Sequence, residues 1–269
     1  MLDWRRARHA LTYVFDPVTQ AHQRLLTMTL PGWICLGEVA TLCDRLVTTV
    51  APLAQLAVRD RGTWTLAVPG GSVVDMLLPA MAAAPLPWGS AHVFWCDERA
   101  VASDAPQSNW RAFQRVMDTQ HQLRQATLHR MPADAPEPLT AAAAYASELE
   151  GVAGWPPVLD LVLLGAGEDG HVASLFPHRN ASHEHSRVVV VEEHSPKPPA
   201  RRMSLALPVL AGARLTCVAA FGEGKRDAMC QVIDPASDLP VAQVLRMAKQ
   251  PLLLLDAGAA SALAASKSR

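Results

Sequence analysis

One segment constrains this chain more than any other: Val158-Leu-Asp-Leu-Val-Leu-Leu164 runs without a break into Gly165-Ala-Gly-Glu-Asp-Gly-His171. A short apolar run of this kind reads as a strand buried on both faces, as in a parallel sheet covered by helices. A glycine-rich turn straight after such a strand falls where open α/β sheets bind ligands, beyond the carboxyl ends of the strands.

The rest of the chain repeats that alternation. Apolar residues at helical spacing (Val39, Leu42, Leu46, Val50, Leu53) predict an amphipathic helix from Gly37 to about Arg59, with Pro52 placed to kink it near its end. Trp64–Val68 reads as a strand broken by Pro69-Gly-Gly71, and Val73–Ala83 as the helix that follows. Ala91–Cys96 is a second strand ending at Asp97-Glu98-Arg99, and Asn109 to about Met117 a helix capped by Ser108 or Asn109. After the proline-rich stretch Pro132–Pro138 come a helix over Leu139–Leu149 and the Val158 strand. Further strands are expected over Val188–Val191, Leu215–Phe221 and Pro251–Asp256, with helices after the last two. The expectation is therefore an α/β fold, a Rossmann-like, mostly parallel sheet with helices on both faces. With no internal repeat and no long linker, residues 31–269 read as one domain. Residues 1–30 show no period and read as an N-terminal extension, with Met28 as an alternative start.

Net charge decides against several partners. A formal charge of -1 on 269 residues lacks the basic excess of a nucleic-acid binder. No apolar run approaches the ~18 residues of a membrane span, and no secretory apolar region follows the arginines near Met1. Five scattered cysteines without a CxxC pair fit reduced thiols in a cytoplasmic protein. A monomer or weak homo-oligomer is expected.

Several strand ends carry chemistry. Gly70 and Gly71 let backbone approach an anion closely, and Ser72 is placed to cap the following helix and donate its hydroxyl; a simple tight turn explains the same residues. Asp97 and Arg99 suit a pocket, Arg99 by its planar fork, although taken alone the triplet Asp97-Glu98-Arg99 reads better as a solvated strand end with an internal salt bridge. Gly165-x-Gly167-x-x-Gly170, with Glu192 about twenty residues on, imitates a dinucleotide fingerprint. Pro177 and the polar run after it leave room for little more than one helical turn, which argues against that reading. His171, beside Asp169 at the end of the foremost strand, is the best-placed of ten histidines to take a proton from water. His178, His183 and His185 lack regular metal-ligand spacing, so no metal site is expected. Ser195-Pro-Lys197-Pro-Pro-Ala-Arg201-Arg202 sets three cations in a stiff loop, and Gly222-Glu-Gly-Lys225 repeats the glycine-then-cation theme or merely starts a helix.

Taken in order, Gly70-Gly-Ser72, Asp97-Glu-Arg99 with Ser108-Asn109, Leu159-Asp-Leu through His171 to Ser174-Leu-Phe-Pro177, Ser195-Pro-Lys-Pro-Pro199 with Arg202, Leu205-x-Leu-Pro-Val-Leu210 and Gly222-Glu-Gly-Lys225 resemble the 6-phosphogluconolactonase family. The resemblance implies a fold shared with glucosamine-6-phosphate deaminases and sugar-phosphate isomerases. It implies hydrolysis of 6-phospho-D-glucono-1,5-lactone, a phosphorylated sugar lactone, in the oxidative pentose phosphate pathway, without a cofactor. It casts His171 as general base, with Asp169 or another carboxylate steadying it. Arg99, Lys197 and Arg202 match positions that bind or face the phosphate substrate, and Gly70, Gly71, Ser72 and Asp97 match other parts of the pocket. The deaminase branch resembles this chain but carries Asn-Glu-Pro where Leu175-Phe176-Pro177 stands here. Pro69, Ala102 and Ala105 depart from the family pattern. The rival readings are a related isomerase or deaminase, a non-catalytic sugar-phosphate sensor and, third, a dinucleotide oxidoreductase.

Overall fold

Five consecutive buried residues at Trp64–Val68 and six at Leu215–Ala220 leave no face for water, so these strands form only inside a sheet covered on both sides. The computed structural model describes residues 32–263 and supplies that sheet; the extension expected over residues 1–30 lies outside the described residues. Seven strands take part: β1 (Ile34–Leu36), β2 (Trp64–Val68), β3 (Ala91–Trp95), β5 (Thr127–His129), β6 (Leu161–Gly165), β9 (Leu215–Ala220) and β10 (Pro251–Leu255). Their order is β1-β10-β9-β6-β2-β3-β5, and every neighbouring pair is parallel. The chain builds outward from β2 through β3 to β5, then returns to place β6 on the other side of β2 and continues to β9 and β10. The order reverses between β2 and β6, which is where a ligand crevice opens in such sheets.

Helices cover both faces. α1 (Val39–Arg61) buries Leu42, Cys43, Leu46, Val50, Ala54 and Ala57, one stripe at helical spacing. Pro52 neither ends nor shortens it: the helix runs on to Arg61 and closes at Gly62, whose φ of 80° lets its N–H reach the Val58 carbonyl at 2.8 Å. α2 (Ser72–Ala83), α3 (Asn109–Thr119) and α4 (Pro138–Ala153) fall close to their expected bounds. The short α5 (Leu207–Gly212) and α7 (Pro240–Met247) did not show in the sequence pattern, whereas α6 (Arg226–Val232) and α8 (Ala257–Ala260) occupy expected places.

The apolar run at Val158 enters the sheet only at Leu161, because Asp160 is used as a clamp. Its buried carboxylate accepts from the Thr65 N–H (2.9 Å) and hydroxyl (3.2 Å) and from Arg214 Nε (3.0 Å), and it pairs with Arg61. This fastens the amino ends of β2, β6 and β9 together, opposite the crevice.

A second sheet of order β4-β8-β7 was not expected. It consists of β4 (Asp97–Arg99), β8 (Arg202–Leu205) and β7 (Val189–Glu192), all antiparallel. The Val188 run therefore does not extend the parallel sheet. Cys96 makes the turn from one sheet to the other: its N–H donates to the Val68 carbonyl and its carbonyl accepts from the Leu205 N–H, both at 2.8 Å. The small sheet thus sits over the carboxyl ends of β2 and β3. Buried apolar residues from Ile34 to Leu263 form one continuous core. Among the described residues, no helix is long and apolar enough to cross a membrane.

Candidate active site

The turn after β2 is shaped by a close approach. A Cβ on Gly70 would lie 1.7 Å from Asn109 Oδ1, so only glycine admits Asn109 here. Gly71, with φ 66°, is the N-cap of α2. Ser72 is the first helical residue rather than the expected cap, because its backbone already follows the helix; no side chain caps α2, and Ser72 is exposed. The first amides of a helix lack acceptors within it, a setting suited to an anion.

Asp97 and Glu98 overturn the solvated strand end that the triplet alone favours: both are buried. Pairing in β4 sends them to opposite faces of the small sheet. Glu98 closes the start of α3, accepting from the backbone N–H groups of Asn109 and Trp110 (both 2.8 Å) and Arg99 (2.7 Å) and from the Ser108 hydroxyl (3.0 Å). Burial pushes its pKa up, against the pull of those N–H groups and with help from the neighbouring Asp97. Ser108 itself caps α3, accepting from the Arg111 N–H. Asp97 turns to the crevice side, where it accepts from the Ser174 hydroxyl (2.6 Å) and from Asn109 Nδ2 (3.0 Å). Asn109 therefore links the Gly70 turn to Asp97, and Ser174 links Asp97 to the loop after β6.

That loop is tight. The Gly167 N–H donates to the His171 carbonyl at 2.8 Å, the Gly170 N–H to the Gly167 carbonyl at 3.1 Å, and Gly170 takes φ 79°. The closure brings Asp169 and His171 side by side, with Nδ1 and Oδ1 2.5 Å apart. A carboxylate only accepts, so Nδ1 carries a proton, and in the neutral ring Nε2 is then the nitrogen with a free lone pair. Burial works to raise the Asp169 pKa, but the hydrogen bond and charge of His171, then Lys197, hold it well below the usual carboxylate range. The His171 ring packs on Phe176, centroids 4.5 Å apart.

Lys197 reaches the same carboxylate from the 195–199 loop, its Nζ 3.7 Å from Asp169 Oδ1. Arg202, expected to face substrate, is buried in β8 and donates to the carbonyls of Lys197, Pro198 and Pro199. Arg99 stands opposite it across β4 and β8; its Nη1 donates to the Gln107 carbonyl at 2.7 Å, and its buried Nε has no hydrogen-bond partner. Lys225 joins the group: burial lowers its pKa, and Glu168, Lys197 and Asp169 are the charges it feels. Its motif follows β9, and the pairing of β9 with β6, which the sequence does not show, is what brings it to the site.

Other readings fit less well. Between Gly170 and β7 the chain forms only the short 3-10 turn Asn180–His183, and Glu192 lies buried in the small sheet, accepting from the His194 N–H. A dinucleotide fingerprint needs that acid at the end of a neighbouring strand. His178, His183, His185 and His194 are exposed, and no group of side chains among the described residues is arranged to hold a metal ion. A cavity of about 290 Å³ between α4 and β7, lined by Leu139, Trp155 and Val188 among others, contains none of the clustered residues.

Comparison with known proteins points the same way. Residues 37–253 match the family described as glucosamine-6-phosphate isomerases/6-phosphogluconolactonase. A 6-phosphogluconolactonase from Synechocystis is 35% identical over 201 residues, 73% of this chain and 82% of that protein. One from Mycobacterium bovis is 35% identical over 233 residues, covering 84% and 94%. The solved 6-phosphogluconolactonase from Trypanosoma cruzi superimposes with a TM-score of 0.75 at 25% identity, covering 88% of this chain and 98% of that one.

Proposed function

The chain belongs to the glucosamine-6-phosphate isomerase/6-phosphogluconolactonase family, and from that membership we propose that it hydrolyses 6-phospho-D-glucono-1,5-lactone to 6-phospho-D-gluconate with His171 as general base. The observation that carries this reading is the His171–Asp169 pair, backed by the Phe176 ring, at the point where the strand order reverses.

His171 Nε2 takes a proton from water as the water oxygen bonds to the lactone carbonyl carbon. Asp169, held ionised, stabilises the imidazolium that forms. The tetrahedral intermediate carries an oxyanion, for which the glycine-rich turns offer backbone N–H groups. Its collapse breaks the bond to the ring oxygen, which leaves with the proton held by His171, and the product acid then ionises. Lys197, Arg99 and the backbone amides at Gly71 and Ser72 are suited to the phosphate. Asp97 and Gly70 shape the wall between phosphate and ring. Binding the remote phosphate fixes the ring so that water meets the right carbon.

The related deaminase chemistry needs a further acid or base to open the sugar ring. Where that branch carries glutamate, this chain has Phe176, packed on His171 and unable to transfer a proton. A non-catalytic sugar-phosphate binder is separated by assay. Lactone hydrolysis, corrected for spontaneous opening, is measured on wild type and His171→Ala. The variant is expected to lose about 10²–10⁴-fold in kcat with KM changed little. An unchanged kcat would remove His171 from its role, and no wild-type activity would remove the reaction.

A further inference from the structure

Arg202 is a buried cation whose hydrogen bonds do not go to a carboxylate. Its Nε donates to the Pro199 carbonyl at 3.1 Å, and its Nη2 donates to the carbonyls of Lys197 at 2.9 Å and Pro198 at 3.3 Å. Its guanidinium carbon also lies 5.4 Å from the centre of the Phe176 ring, the ring that packs on His171. A charge removed from water is costly unless its donors are satisfied. Here Nε and Nη2 are satisfied by three successive backbone carbonyls of one loop, and the ring lies beside the guanidinium carbon.

Three facts make this arrangement specific. Within the loop Ser195 donates its hydroxyl to the Lys197 carbonyl, accepts from the Lys197 N–H and donates its own N–H to the Ala200 carbonyl, and Arg202 adds three bonds from outside. Lys197 sits in the middle of that loop with its ammonium 3.7 Å from Asp169. A lysine cannot reproduce the contact at position 202, because a single ammonium has neither the planar fork that spans several carbonyls nor the flat face that lies on a ring.

We propose that Arg202 is a positioning residue: it sets Lys197 through the carbonyls of the 195–199 loop and His171 through Phe176, rather than contacting the substrate itself. This rests on the reading of Lys197 as a phosphate ligand given above. The competing role is a direct contact between the guanidinium and the substrate phosphate.

The two roles separate in a double-mutant cycle. Arg202→Lys and Arg202→Gln are each combined with Lys197→Ala, and kcat and KM are measured for the lactone. If Arg202 works through Lys197, both replacements raise KM about tenfold in the wild-type background, and most of that rise disappears once Lys197 is gone. Both also lower kcat, and this loss persists in the Lys197→Ala background because it passes through Phe176. If Arg202 touches the phosphate, Arg202→Lys retains most of the affinity and the KM effects multiply. That result overturns the proposal, as does an unaltered KM in both variants. Hydrogen exchange at Ser195 and Lys197 supplies a readout free of activity: faster exchange in Arg202→Lys, with the β9 amides unchanged, is expected. Unchanged exchange in the loop overturns the proposal even if the substrate proves to be a different one, and loss of β9 protection as well would assign Arg202 to general stability instead.

Discussion

Gly167→Ala tests the geometry of the site with a single methyl group. The backbone at Gly167 is not in the left-handed region, so alanine is admissible there. The added Cβ would meet His171 Nδ1 at 2.0 Å, its Cε1 at 2.2 Å and Asp169 Oδ1 at 2.5 Å, where ordinary contact begins at 3.4 Å. The imidazole must therefore withdraw by about 1.4 Å and the carboxylate by about 0.9 Å, which disturbs the bond that fixes the tautomer. The Phe176 ring packed on the imidazole limits where His171 can go. A displacement of about 1 Å in a reacting group costs on the order of 100-fold in rate, or about 2.7 kcal/mol in the barrier. The assay is steady-state lactone hydrolysis with the spontaneous rate subtracted, beside a thermal melt. The expected result is a kcat down about 100-fold, a KM within about threefold of wild type because Lys197 and Arg99, the groups proposed to hold the phosphate, are not among the atoms the methyl meets first, and a melting temperature within a few degrees. A kcat within about threefold of wild type in a folded Gly167→Ala protein would refute the reasoning.

Two further outcomes follow from the charges. Asp169→Asn removes a carboxylate held well below its usual pKa; the stability such a group contributes is present above its unfolded value and is lost as pH falls through the folded one. The gap between wild type and Asp169→Asn in denaturant melts should be full above about pH 5 and close progressively below about pH 4, and a gap that widens towards acid would contradict the assignment. Asp160→Ala strips the clamp from the far end of the sheet and leaves the Thr65 N–H without its acceptor. It should cost about 2–4 kcal/mol in urea unfolding, the surviving arginines being partly solvated, while kcat of the folded protein stays within about twofold; a loss under about 1 kcal/mol would show the clamp to be incidental.

What could be read from the sequence was whatever depends on periodicity along the chain. The stripe from Val39 to Leu53, the buried runs at Trp64 and Leu215, and the glycine turn after Leu164 each declare themselves within fifteen residues. What could not be read depends on pairing at a distance. Asp97 and Glu98 look solvated in isolation, and only the antiparallel pairing of β4 with β8 and the approach of the α3 amides make their burial tolerable. Arg202 looks like one more basic residue in a loop, because its partners are carbonyls, which carry no sequence signature. Pro52 sits inside α1 without ending it, because its cost is local and the packed stripe around it outweighs that cost. His171 and Asp169 were found because they are two residues apart, so the loop that joins them had little freedom to separate them.

The pairing of β1 with β10 sets Ile34 beside Leu253. A ribosome releases the first of these strands long before the second exists, so β1 must wait, unpaired, for nearly the whole chain to be made. Until it docks, the five apolar residues of β10 present a row of open backbone donors and acceptors at the rim of the sheet. The three-residue strand that closes this fold is thus also a seal, guarding the newly made sheet against strands of neighbouring molecules.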